Sequence, residues 1–180
     1  MILSLSGTKK MWIYLKSLIF LFVFSILHFG YEWLGWKFLI PFSGIDESVF
    51  QHLKMGFWAY ILVSFIEYLI LRNRVKKASN FWFSRFFSAI ILPWIIILVW
   101  YLVPAIYSKR LSVPLEIIWA IFSAYLSSVF SEYFARELEK IALKLSTKIA
   151  ILFLLIISAF LFILFSYKLP WVDIFANPQI

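Results

Sequence analysis

The sequence has no cysteine, few glycines and few charged residues, and each shortage excludes a class of protein. Without cysteine the chain has no disulfide, no thiolate nucleophile and no cysteine metal site. Its 5 glycines form neither a phosphate-binding loop nor a dinucleotide fingerprint. Only 14% of the 180 residues are charged, against ~25% in soluble domains. So little polar surface cannot cover a soluble fold of this size.

Apolar and aromatic residues make up most of the sequence. The chain is 64% hydrophobic and 22% aromatic, with 21 Phe and 9 Trp. Such a composition fits lipid as the solvent, with Trp and Tyr at the headgroups. The net charge of +8 comes from cations in short loops between apolar runs. This distribution indicates membrane topology, and we expect no nucleic-acid partner.

Five apolar runs reach the ~20 residues that a membrane-spanning helix needs. They cover about 12–33, 48–71, 82–107, 114–134 and 148–167, and an interfacial tail covers 168–180. The charged segment 132–148 either continues the fourth helix or lies on the membrane surface. The sequence therefore predicts an all-α, polytopic transmembrane helical bundle of five helices in one integral membrane domain, residues 1–180.

The Lys and Arg residues of the short loops predict the orientation of the bundle. Four cations fall at one end: Lys37, Lys109, Arg110 and Lys168. Twelve fall at the other end: Lys9, Lys10, Lys16, Arg72, Arg74, Lys76, Lys77, Arg85, Arg136, Lys140, Lys144 and Lys148. Because cytoplasmic loops are the basic ones, we expect a cytoplasmic N-terminus and an outside C-terminus, in the cell membrane.

Polar residues converge on the predicted outer end of the first two helices. They are His28, Glu32, Glu47, His52 and Lys54, and they include both histidines of the chain. Two His with one Glu is a known ligand set of catalytic zinc. His28 and His52 with Glu32 or Glu47 would supply it, leaving the other carboxylate as general base. The intramembrane Lys54 could hold an anionic group or a carboxylate.

The same residues also have a structural interpretation. Asp46, Glu47 and Ser48 suit the positive end of a helix dipole. Ser48 followed by Gln51 matches a capping box, and Lys54 could extend outward to water. A metal site, a site without metal and a purely structural cluster all stay open at this point.

Two further carboxylates lie in or beside the predicted spans. Glu67 falls near the inner interface, where Arg72 or Arg74 could neutralise it. Glu116 opens the fourth helix, where it complements the dipole or joins the outer cluster. The serines of that helix fit the close packing of membrane helices.

Several of these residues together resemble an uncharacterised family of small prokaryotic polytopic membrane proteins, a domain of unknown function. The resemblance rests on His28 with Tyr31-Glu32, on Asp46-Glu47-Ser48 with His52 and Lys54, and on the tail Pro170 to Pro178. The chain departs from the pattern at Gln51, where a glutamate is usual, which weakens a mechanism with two carboxylates. The resemblance implies a prokaryotic plasma membrane and a candidate site, but no reaction.

The expected function is binding or transport of a small ligand, ion or lipid headgroup in an outward-facing pocket between the first two helices. A membrane-embedded, metal-dependent enzyme acting on a lipid is the first alternative. A structural or partner protein is the second. Besides the lipid bilayer, the sequence names no partner, and it decides neither enzymatic activity nor oligomeric state.

Overall fold

The computed structural model describes residues 2–109 and 111–177, with side chains from residue 11 onward. Its five long helices are α1 (Ile2–Leu34), α2 (Val49–Leu71), α3 (Ala78–Tyr107), α4 (Val113–Glu139) and α5 (Leu145–Tyr167). All five are long and apolar enough to cross a membrane. The predicted all-α fold with five such helices is confirmed, and the orientation of the termini stays a prediction. The side chains of Lys9 and Lys10, residue Arg110 and the tail residues 178–180 lie outside the described part.

Helix α2 occupies the centre of the bundle. More than half of its span is buried (56%), against 11% of the span in α5, which is the most apolar helix. Helix α5 therefore presents most of its surface to the surroundings, as a lipid-facing helix does. The core around α2 contains Phe20 of α1, Phe57 and Tyr60 of α2, and Leu92 of α3.

A close contact between α2 and α3 depends on Gly56. A Cβ atom at this position would lie 2.8 Å from Cδ1 of Ile96. The absence of a side chain lets the two helices approach, as small residues do in membrane bundles.

The helix boundaries show whether the charged segment that begins at Glu132 continues the fourth helix. Helix α4 continues to Glu139, a short connection follows, and α5 begins at Leu145. The charges from Glu132 to Glu139 therefore belong to the last turns of α4.

The C-terminal tail folds back onto the bundle. Its Phe175 is buried, with its ring centroid 4.7 Å from Phe50 and 5.4 Å from Phe165. The tail thus covers the start of α2 and the end of α5.

Candidate metal site and a buried charge network

Three potential metal ligands meet where the α1–α2 connection joins the two helices. His28 lies near the end of α1, His52 in the first turns of α2, and Glu47 in the connection. An Oε atom of Glu47 lies 3.6 Å from Nε2 of His28 and 3.5 Å from Nε2 of His52. The ligand atoms all lie within 4.8 Å of one another. We call His28, Glu47 and His52 the outer trio.

The connection is folded so that Glu47 returns to the level of His28. The N–H of Gly44 donates to the carbonyl of Leu27 at 3.1 Å, which ties the connection to α1. A Cβ on Gly44 would come within 3.0 Å of Sδ of Met55, so the turn packs tightly on α2 as well. Asp46 then accepts a hydrogen bond from the N–H of Ser48 at 2.8 Å, which fixes the backbone immediately before α2. These contacts hold Glu47 between the two imidazoles.

The hydrogen bond of His52 shows which of its two ring nitrogens carries the proton. Nδ1 lies 2.9 Å from the carbonyl oxygen of Ser48, and a carbonyl only accepts, so Nδ1 carries the proton. In the neutral ring, Nε2 therefore presents a lone pair toward Glu47. A ring N–H bound to a backbone carbonyl is the usual support of a metal-ligating histidine.

The two His–Glu separations in the outer trio suit a shared cation better than direct contact. A hydrogen bond between nitrogen and oxygen spans ~2.7–3.2 Å, less than either His–Glu distance. Two ligands at ~2.1 Å from a tetrahedral zinc lie about 3.4 Å apart. The distances of 3.5 and 3.6 Å are close to that value. All three side chains are partly exposed, so a metal and a fourth ligand can reach them.

Glu32 does not join the outer trio. It is exposed and forms no ion pair with any described residue, although it lies one turn beyond His28 on α1. The sequence left Glu32 and Glu47 as alternative ligands, and the structure brings only Glu47 to the histidines.

Lys54 also lies apart from the outer trio, on the side of α2 that faces α5. Its side chain is buried, and Nζ donates to the carbonyl of Ile40 at 2.7 Å and to Oγ of Ser166 at 3.1 Å. The prediction that it extends outward to water is wrong. Among the described residues no carboxylate lies within ion-pair distance of Nζ, and its two hydrogen-bond acceptors are neutral.

The predicted capping box does not form. Ser48 is the N-cap of α2, yet its side chain makes no capping hydrogen bond, and the amide of Gln51 is buried without a hydrogen-bond partner among the described residues. Asp46 takes over the capping role through its bond to the Ser48 N–H.

A second cluster of ionisable residues lies at the opposite end of the bundle, and we call it the inner network. It joins three cations to three carboxylates from four helices: Lys16 (α1), Glu67 (α2), Arg85 (α3), Glu132, Arg136 and Glu139 (α4). Twelve residues separate Lys16 from His28 on α1, or about 18 Å at 1.5 Å per residue.

Lys16 lies at the centre of the inner network. Its Nζ donates to Glu67 at 2.7 Å, to Glu132 at 2.6 Å and to Oγ of Ser64 at 3.2 Å. Glu132 also accepts the hydroxyl of Tyr60 at 2.9 Å. All three ammonium protons thus have acceptors, and the side chain of Lys16 is buried.

The two arginines close the inner network around the same carboxylates. Arg85 donates to Glu67 through two nitrogens, at 3.0 and 3.2 Å, and to Glu139 at 2.6 Å. Arg136 donates to Glu132 at 2.6 Å and to Glu67. Three positive and three negative groups cancel, so the inner network is neutral and its members are mutually paired.

Comparison with known proteins gives the chain a family but no activity. Residues 1–179 match a family of unknown function, DUF6512. The chain belongs to this family. No curated protein and no solved structure matches it.

In this DUF6512 member, the sequence did not reveal the inner network. We expected Arg72 or Arg74 to neutralise Glu67, but its partners are Lys16, Arg85 and Arg136. The sequence groups these three cations with the basic loops, but all three lie within helices: Arg85 and Arg136 one to two turns from an end, and Lys16 in the middle of α1. One signal in the sequence points to the inner network: Arg85 lies in the apolar run 81–90. An ionisable residue inside a membrane span needs a partner of opposite charge.

Proposed function

We propose that this protein is an integral membrane protein that binds a divalent transition-metal ion, with zinc as the best fit, at the outer trio. One observation carries the proposal: Nε2 of His28 and Nε2 of His52 lie 3.6 and 3.5 Å from the carboxylate of Glu47. These are separations that a tetrahedral metal produces between its ligands.

The chemistry of the ligands favours zinc over the hard cations. Imidazole nitrogens suit zinc, copper, iron and nickel, whereas magnesium and calcium prefer oxygen ligands alone. Two neutral imidazoles with one carboxylate would leave a zinc ion with a net charge of +1. The Ser48 carbonyl supports this further, because its bond to His52 Nδ1 keeps Nε2 free as a ligand.

Three protein ligands also leave one coordination position open. The side chains of His28, His52 and Glu47 are 24%, 28% and 39% exposed, so that position faces the surroundings. A closed structural zinc site has four protein ligands, whereas an open position is typical of sites that bind or activate a further molecule. With the predicted orientation, a ligand would approach from outside the cell or from the outer leaflet.

The first experiment measures the metal content of the full chain, purified in detergent with any affinity tag removed and reconstituted with zinc. Inductively coupled plasma mass spectrometry should find about one zinc per chain in the wild type, and substantially less in a His28→Ala/His52→Ala double variant. Cobalt substitution adds a geometric test, since tetrahedral cobalt gives intense visible absorption that the double variant should lack.

Glu32→Ala is the matched control, because Glu32 is an acid next to the outer trio whose carboxylate forms no ion pair with its members. This variant should keep the zinc content of the wild type. Equal metal content in the wild type and the double variant, both monodisperse, would overturn the proposal.

A further inference from the structure

A second concave site lies at the corner between α3 and α4, at the same end of the bundle as the outer trio. Its volume is about 390 Å³, and its lining includes Trp100, Pro104, Ser108, Lys109, Glu116 and Trp119. It shares no residue with the outer trio. We call it the corner cavity.

Pro104, the second of two prolines in α3, provides a contact between the two helices at this corner. Pro104 has no N–H, so the carbonyl of Trp100 four residues earlier loses its helical donor. The indole N–H of Trp119 on α4 donates to this carbonyl instead, at 3.0 Å. Ser108 then ends α3 in the left-handed conformation, with φ of +53°. The corner cavity is the space that this crossing leaves open.

The rim of the corner cavity carries one charge of each sign. Lys109 and Glu116 are both exposed and both line the cavity. Neither forms an ion pair with the other or with any residue that the structure describes. An unpaired cation and an unpaired anion on one rim complement a ligand that itself carries both charges.

The indoles of Trp100 and Trp119 add a preference for one kind of cation. Ammonium groups bind to the faces of aromatic rings, and Trp is the strongest of these partners. Trp is also the residue that membrane proteins place at the level of the headgroups. Two indoles beside Glu116 therefore favour an ammonium group at this side of the corner cavity.

A separate apolar groove lies between α4 and α1, lined by residues that neighbour the corner cavity along α4. It has a volume of about 330 Å³, and Leu18, Leu21, Ile118 and Phe122 contribute to its lining. The ring of Phe122 lies 5.7 Å from that of Trp119, so the linings of the groove and the cavity touch. A charged cavity joined to an apolar groove matches a headgroup joined to an acyl chain.

We propose that the corner cavity binds the headgroup of a zwitterionic phospholipid, with the ammonium at Glu116 and the two indoles and the phosphate at Lys109. One acyl chain of the same lipid occupies the apolar groove. This site is separate from the outer trio, so lipid binding here does not depend on metal binding there.

The test uses native mass spectrometry of the full chain in detergent, titrated with phosphatidylethanolamine, phosphatidylcholine or phosphatidylglycerol. The first two carry an ammonium group and should bind about tenfold more tightly than the third, which has none. Glu116→Gln should abolish this preference, whereas Lys109→Gln should weaken all three lipids alike, because each has the phosphate. Asp173→Asn, an exposed acid at the same end of the bundle, is the control and should change nothing.

Two outcomes would overturn the proposal. One is equal binding of the three lipids, or a preference that survives in Glu116→Gln. The other is binding of soluble phosphocholine as tight as that of the lipid, together with no effect of Phe122→Ala, since this would indicate a free zwitterion as the ligand.

Discussion

The ionisable groups at the two ends of the bundle differ in how closely they are paired. In the inner network every carboxylate meets at least one cation at 3.0 Å or less, and the charges cancel. In the outer trio one carboxylate faces two imidazoles at 3.5 and 3.6 Å, with no direct hydrogen bond among them. Four of the six inner side chains, those of Lys16, Glu67, Arg85 and Glu132, are buried, while all three members of the outer trio are partly exposed.

This difference separates a structural cluster from a binding site. An unpaired charge in an apolar environment is so costly that buried ions persist only with partners. The inner network meets that requirement with its own residues. The outer trio, in contrast, has two nitrogen lone pairs and a carboxylate that a cation can use.

The largest effect should follow from breaking the inner network. Glu132→Gln leaves Lys16 and Arg136 with one carboxylate fewer among buried groups. Removing one partner of a buried ion pair costs about 3–5 kcal/mol. We expect a loss of this size in the free energy of unfolding, measured by SDS titration in mixed micelles with circular dichroism.

Two further variants separate lost pairing from a general effect of substitution. Glu137→Gln removes an exposed carboxylate of α4 that binds Lys140 at 2.5 Å, and exposed pairs contribute only about 0–1 kcal/mol. The double variant Lys16→Met/Glu132→Gln removes one charge of each sign, so it should lose less than the sum of its single variants. An equally small loss in Glu132→Gln and Glu137→Gln would show that the network does not stabilise the fold.

The five helices could be predicted because each needs only a long apolar run, which the sequence displays directly. The partners within the inner network could not, because α2 and α3 are apolar on most sides and their rotation about the helix axis is not encoded by a periodic pattern. Arg85 and Arg136 lie near the ends of their helices, where the sequence does not distinguish a helical cation from a loop cation, and Lys16 lies at the start of the apolar part of α1.

The outer trio was partly predictable for a local reason. A short connection has to bring the end of α1 and the start of α2 together, so His28 and His52 were expected to be neighbours. The choice between Glu32 and Glu47 depended on the turn at Gly44, which ties the connection to Leu27 and so returns Glu47 to the level of His28. No pattern in the sequence predicts that hydrogen bond.

A smaller effect should distinguish the outer trio from the inner network. His52→Ala should change the free energy of unfolding without zinc by only about 1 kcal/mol, the value of a single hydrogen bond. Zinc at 100 times its dissociation constant should stabilise the wild type by about 2.7 kcal/mol. His52→Ala should lose this gain, and Glu32→Ala should keep it, in the same SDS titration. A gain from zinc that persists in His52→Ala would place the metal elsewhere.

The smallest effect concerns Gln51, a polar group that belongs to neither cluster. Its side chain is fully buried at the start of α2, and neither atom of its amide has a hydrogen-bond partner among the described residues. Met has a similar length and no strong hydrogen-bonding group, so Gln51→Met should raise the free energy of unfolding by about 1 kcal/mol. Gln51→Ala, which removes the packing as well, should lower it. A loss of stability in Gln51→Met would show that the amide holds a partner of its own, and the outer end would then contain a further polar site beside Lys54.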